Sequence, residues 1–311
     1  MTKVNFGFIR YIASLQINQT DMKKRLFIAL ILLMAGFEYT NAQHPRLIVR
    51  GDDMGYTHSG NVALIQSYTE GIQKTIEVIV PSPWFPEAVQ LLKEYPGVDV
   101  GIHLALTSEW DKMKWRPLTQ VPSLMDEDGY FLPMSFPNED YKGLSIQESD
   151  WKIDEIEQEL RAQIELGLKK IPQVSHITTH MGFGWIDPQI TVLVKDLAVE
   201  YDIDIDLEEL GVERVNYHGM QWPETTTSTS EEKKEAFIGM LRRLEAGKTY
   251  MFLDHPGIDN DELRAISHIG YESVAKDRQG VTDVFTSDEV KAVIEELGIE
   301  LISYKDLTED Q

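Results

Sequence analysis

The sequence has 311 residues, 42% of them hydrophobic, enough for a large core in either two modest domains or one α/β barrel. A formal net charge of -23 argues against a polyanionic partner such as nucleic acid. There are no cysteines, which excludes disulfides, thiolate metal sites and cysteine nucleophiles.

Near the N-terminus, Met22 is followed by Lys23, Lys24 and Arg25, then the 12-residue apolar stretch LFIALILLMAGF and a small-residue exit at Thr40-Asn41-Ala42. These are the three parts of a secretory signal peptide, and the apolar stretch is too short to span a bilayer. Residues 1–42 therefore read as an upstream extension followed by a signal (22–42), with Met1 and Met22 both open as the start. The alternative is an uncleaved anchor helix. Residues 43–311 read as one mature domain, secreted or periplasmic, with no stable membrane insertion once the signal is removed.

From residue 46 onward, short β-branched runs alternate with helical patterns. RLIVRG (46–51) predicts a buried strand, SGNVALIQSYTEG (59–71) a helix, TIEVIV (75–80) a strand and WFPEAVQLLKEYPG (84–97) a helix stopped by Pro96-Gly97. DVGIHLAL (99–106) is a third strand. Residues 107–146 are long, irregular and rich in Trp, Pro and Asp, a composition typical of functional loops. An amphipathic helix is expected over 148–168, a strand over 176–181, a helix over 190–201 and a short strand at IDIDL (202–206). Residues 231–247 predict a helix and TYMFLDHP (249–256) a strand. The pattern over 257–285 is ambiguous. TSDE (286–289) reads as a capping box that opens a helix to about 297, and IELISY (299–304) is the last strand. Such alternation predicts an α/β fold, a distorted (β/α) barrel of about seven parallel strands in a single domain.

The polar residues cluster with the strand ends. Asp52 and Asp53 follow the first strand, His103 lies in the third, and His176, His180 and His255 sit in or after later ones. In parallel α/β folds these ends share one face, where residues far apart in sequence converge. Two imidazoles and a carboxylate form a ligand set for a divalent cation with open positions, and a cation relieves the repulsion between adjacent aspartates. One Asp can then ligate while its neighbour serves as a base. Successive side chains on a strand point to opposite faces, so the chain must turn for both to share a site, and Gly55 suits such a turn. His176 and His180 would share a helix face, but on a strand they stand roughly 13 Å apart. The β-branched Ile177, Thr178 and Thr179 favour a strand, leaving His180 as the better ligand candidate and His176 in a supporting or core position.

The segments IVRGDDMGYTHSGN, VDVGIHLALT, VSHITTHMGFGWIDPQI, MFLDHPGIDN and DVFTSDEVKAVIEELGIELISYKDL together resemble the YdjC-like carbohydrate deacetylases, a group that includes chitooligosaccharide and hopanoid-associated deacetylases. They occur in family order over about residues 46–307. The resemblance implies a distorted barrel that removes the acetyl group from an N-acetylated sugar or short oligosaccharide with one divalent metal ion. It implies Asp53, His103 and His180 as metal ligands, Asp52 as general base and His255 as the acid that protonates the leaving amine. The ion is either magnesium, the family's common assignment, or zinc, which two imidazoles favour. Gly51 stands where the family's usual alanine precedes the aspartates, and the histidine cluster after the fourth strand is thinner.

Trp84, Trp110, Trp115 and Trp185 fall on the expected site side and, with His176, are the candidate substrate-contacting residues, flat faces being suited to sugar rings. Two other readings stay open: a carbohydrate-binding barrel without catalysis, and a metal-dependent hydrolase of a non-sugar amide or ester. The sequence leaves the oligomeric state open, a homodimer included.

Overall fold

The computed structural model describes residues 44–217 and 229–309; the expected signal segment, His218 and Trp222 lie outside the described residues. The β-branched run at 46 forms β1 (Arg46–Met54), buried along nearly its whole length because it runs through the middle of the sheet. Thr57 caps α1 (His58–Thr69) by accepting from the Gly60 amide at 2.9 Å. There follow β2 (Thr75–Val78), α2 (Phe85–Glu94), β3 (Asp99–Leu104), α3 (Ile153–Lys170), β4 (Val174–Thr179), α4 (Pro188–Glu200) and β5 (Glu213–Val215). The chain continues through α5 (Ser230–Leu241), β6 (Thr249–Asp254), α6 (Asp261–Arg264), α7 (Val274–Thr286), α8 (Asp288–Leu297), β7 (Glu300–Ile302) and α9 (Asp306–Glu309).

Every strand pairing is parallel, in the order β4-β3-β2-β1-β6-β5, with β7 alongside the start of β1. This seven-stranded parallel sheet with crossover helices agrees with the expected distorted barrel. Among the described residues no ladder joins β4 to β5.

Two expected elements differ. IDIDL forms no strand: Asp202 adopts a left-handed backbone (φ 59°) and the Ile203 amide bonds back to the Ala198 carbonyl at 3.0 Å, so the segment closes α4, and Glu213–Val215 pairs with β6 instead. The cap of α8 is Ser287 rather than Thr286. Thr286 ends α7, where its hydroxyl donates to the Thr282 carbonyl, while the Ser287 side chain accepts from Val290.

The outer faces of the strands carry the apolar core. Leu47 and Val49 pack with Phe237, Phe252 and Phe285, and Ile102 fits against Gly167 of α3. The inner face carries charge beside a smaller apolar cluster of Ile48, Met251 and Ile302. Glu77 lies in register with Gly101, and Gly101 with His176, across three adjacent strands. A Cβ on Gly101 would collide with both Glu77 Oε2 and His176 Nε2, so the glycine is the gap through which these two buried side chains meet at 2.7 Å. Gly101→Ala is therefore expected to cost about 1–3 kcal/mol through overpacking. Chemical denaturation checks this, and an unchanged midpoint would mean that the pair moves aside freely.

Candidate metal centre and active site

Asp53 lies near the end of β1 with φ 72°, a left-handed conformation rare outside glycine. The β1–β2 register shifts between Gly51 and Met54, at the same place. The kink cancels the alternation of a strand, so that Asp52 and Asp53 both face His103: its Nε2 lies 3.8 Å from Asp52 Oδ2 and 3.7 Å from Asp53 Oδ1. Gly55 has a positive φ as well, but the aspartate itself is where β1 loses register.

β4 ends at Thr179, and His180 opens a 3-10 turn that brings its Nδ1 to 3.2 Å from Asp53 Oδ1. The His103 and His180 rings meet edge to face with centroids 5.2 Å apart. Asp53, His103 and His180 thus offer donor atoms within 4.8 Å of one another, and all three residues are buried. Asp53 Oδ1 is buried and faces both imidazoles, 3.2 Å from His180 Nδ1 and 3.7 Å from His103 Nε2. Two imidazoles and a carboxylate fit a divalent ion of the zinc or magnesium kind.

Each member is held from behind. Arg50 donates to both oxygens of Asp52, Nε at 2.7 Å and NH2 at 2.8 Å, and its NH1 donates to Tyr304 OH at 2.9 Å. Arg278 NH2 donates to Asp53 Oδ2 at 2.9 Å while its guanidinium lies 4.5 Å from the Tyr56 ring centre. His180 Nε2 contacts Glu109 Oε2 at 3.1 Å, and His103 Nδ1 contacts the Thr178 hydroxyl at 2.7 Å. His255 is about one-third exposed (34%), its Nε2 3.8 Å from Asp53 Oδ2. The Asp254 carboxylate accepts from the His255 amide at 2.8 Å and from Tyr217 OH at 2.7 Å.

These surroundings set the charges. Burial opposes ionisation of Asp53, but His255, His180 and Arg278 around it hold its carboxyl well below the usual range. Burial, with the neighbouring His180 charge, pushes His103 down to about 4 against the pull of the aspartates, leaving a neutral imidazole. Burial also disfavours charge on His180, but Glu109 and Asp53 on either side lift it to about 10. His255 resists burial in the same way, raised by Asp53 and Asp254.

The family model for YdjC-like proteins matches residues 46–296. The chain belongs to the YdjC-like family. A protein of Listeria monocytogenes named carbohydrate deacetylase is 29% identical over 270 residues, covering 84% of this YdjC-like chain and 100% of its own length. A carbohydrate deacetylase of Enterococcus faecalis is 27% identical over 274 residues, covering 85% and 98%. A crystal structure from Enterococcus faecalis, described as a candidate cellobiose-phosphate cleavage protein, superposes with a TM-score of 0.67 at 24% identity, covering 85% of this chain and 99% of that one. That likeness is one of fold.

The aromatic candidates divide. Trp185 is 62% exposed, five residues past His180, with the Arg214 guanidinium 5.5 Å from its ring centre. Trp84 is 40% exposed beside His58, the rings 5.4 Å apart. Trp110 and Trp115 are buried: Trp110 packs on Tyr56 and Trp115 lies 6.2 Å from the His180 ring, so both wall the centre rather than offer an open face. His176 is fully buried inside the sheet and presents no surface to a substrate, which corrects its place among the substrate contacts.

Arg50, Glu77, Glu109, Thr178, Asp254 and Arg278 were not singled out from sequence. A charged residue in the middle of an otherwise apolar strand, as at Arg50 and Glu77, is the signal that marks two of them. Arg278 and Glu109 sit in an ambiguous helix and an irregular loop, where no pattern distinguishes them. Because Arg50 is buried and forks onto Asp52, Arg50→Leu is expected to cost about 3–5 kcal/mol by leaving a buried carboxylate unpaired. Urea denaturation of Arg50→Leu beside the double variant Arg50→Leu/Asp52→Leu checks this, the second expected to recover most of the loss.

Proposed function

We propose that this chain is a metal-dependent carbohydrate deacetylase that hydrolyses the acetamido group of an N-acetylated sugar or short oligosaccharide. The observation that carries the reading is the convergence of one donor atom each from buried Asp53, His103 and His180 within 4.8 Å of one another. The names of the Listeria and Enterococcus relatives supply the reaction and the substrate class.

In this reading Asp53 Oδ1, His103 and His180 would hold the cation. A bound cation would lower the pKa of water, so that its proton is readily lost to give the attacking hydroxide, and would polarise the acetyl carbonyl. Asp52 takes the proton of the attacking water. Arg50 occupies one lone pair on each of its oxygens and leaves the others, with Oδ2 on the side of His103. His255, at the more open edge, delivers a proton to the departing nitrogen. Asp254 fixes its backbone and sits 3.4 Å from Nδ1, which leaves Nε2 toward the centre. Trp185 and Trp84 offer exposed rings to the pyranose. The basic, apolar and small-residue segments at 22–42 support export of the enzyme.

Acetate release from N,N'-diacetylchitobiose and related N-acetyl sugars tests the activity. Release is expected to stop with chelator and return on metal addition; sugar binding without turnover would favour a non-catalytic barrel. Asp52→Asn is expected to lower turnover by about 10²–10⁴-fold with the metal retained. Loss of metal from that variant would mean that the two aspartates have exchanged roles. Trp185→Ala is expected to raise KM for the disaccharide by about 3- to 10-fold with kcat little changed.

A further inference from the structure

A chain of hydrogen bonds runs through the sheet interior beneath the centre. Asp99 Oδ1 accepts from the Ser175 hydroxyl at 2.7 Å, and Ser175 Oγ lies 2.7 Å from His176 Nδ1. His176 Nε2 meets Glu77 Oε1 at 2.7 Å. The Thr178 hydroxyl donates to Glu77 Oε2 at 2.5 Å, and Thr178 Oγ1 lies 2.7 Å from His103 Nδ1. Glu77 and His176 have no exposed surface, and the His176 ring is stacked 3.6 Å from that of Tyr304.

Proton counting gives the chain a direction. Thr178 has a single hydroxyl proton, and Glu77, an acceptor at both oxygens, takes it. Thr178 Oγ1 can then only accept from His103, so the proton of that imidazole lies on Nδ1. Nε2 is left with its lone pair, and Nε2 is the atom that faces Asp52 and Asp53. The His176 contact fixes the other oxygen of Glu77, so the carboxylate cannot rotate away. An apolar pair in the same place would avoid the cost of burying these polar groups, so packing alone does not account for them.

We propose that Glu77 is a positioning residue for the metal centre: acting through the Thr178 hydroxyl, it fixes the tautomer and ring orientation of His103 so that Nε2 is presented to the cation. The His176–Ser175–Asp99 chain holds Glu77 in place. The inference rests on the metal reading above and assigns the orienting work to Glu77, Thr178 and His176. The two imidazoles are thus supported differently, His180 by Glu109 directly and His103 by a carboxylate one hydroxyl removed.

The test uses metal-free full-length mature protein (residues 43–311). Zn²⁺ alone is titrated calorimetrically into wild type, Thr178→Ser and Thr178→Val, and thermal melting of each metal-free form is recorded. Thr178→Val is expected to bind Zn²⁺ about 10- to 100-fold more weakly, and Thr178→Ser like wild type. Equal Zn²⁺ affinity in folded Thr178→Val overturns the proposal, as does a Thr178→Ser variant as weak as the valine. A second measurement needs no variant to fold: long-range ¹⁵N–¹H spectra of the metal-free wild type report the His103 tautomer. The Nδ1–H form is expected, and the Nε2–H form overturns the proposal. In Glu77→Gln the amide nitrogen offers a donor where Thr178 needs an acceptor, so the Nε2–H form is expected to grow. If wild type itself binds no Zn²⁺, the metal reading fails, while the tautomer measurement still decides whether Glu77 orients His103.

Discussion

Asp52 and Asp53 are consecutive, buried and turned into one volume, and each would be costly there without a cation of its own. An unpaired buried carboxylate carries a penalty of several kcal/mol, so the surroundings are organised around supplying partners. Asp52 is matched by the fork of Arg50. Asp53 is matched by Arg278 on one oxygen, and its other oxygen is turned toward the imidazoles of His180 and His103. The left-handed backbone at Asp53, a conformation worth about 1–3 kcal/mol of strain, is what brings the second carboxylate round.

The sheet interior follows from the same demand. A parallel barrel of this size is ordinarily filled with branched apolar side chains. Here Arg50, Glu77, Asp99 and His176 take that space, and Gly101 gives up its side chain to let two of them touch. They share the interior with a smaller apolar cluster of Ile48, Met251, Ile302 and Leu307, while Phe237, Phe252 and Phe285 pack on the outer face. The larger apolar clusters lie between strands and helices, and the polar part of the interior supplies orientation. His103 illustrates the division: its position comes from β3, whose outward residues Val100, Ile102 and Leu104 anchor the strand, whereas its ring is aimed by polar contacts inside.

Much of this was legible in the sequence because parallel strands place their C-terminal ends together, so that the ends of IVRGDD, GIHL and ITTH could be read as one site. The family motifs carried the same residues. Orientation was not legible. Adjacent aspartates on a strand imply opposite faces, and only coordinates reveal that Asp53 itself turns the chain rather than Gly55 downstream. IDIDL has the alternation of a strand, but Asp202 tolerates a left-handed backbone and spends the segment on ending α4. His176 shares the strand that leads to His180, yet it points into the interior at the level of Gly101, one layer below the centre. Arg278 is not legible because it lies 225 residues from its partner, in a helix whose pattern carries no special mark.

That last separation bears on how the protein is made. The partner of Asp52 is two residues away, available as soon as β1 leaves the ribosome; the partner of Asp53 arrives only when about nine-tenths of the chain has been translated. Tyr304, which steadies Arg50 and stacks on His176, comes later still. Until then the N-terminal strands carry an excess of negative charge that favours hydration over burial. The centre can therefore close only once the last helices and strand have been delivered, which makes its assembly a late event in folding.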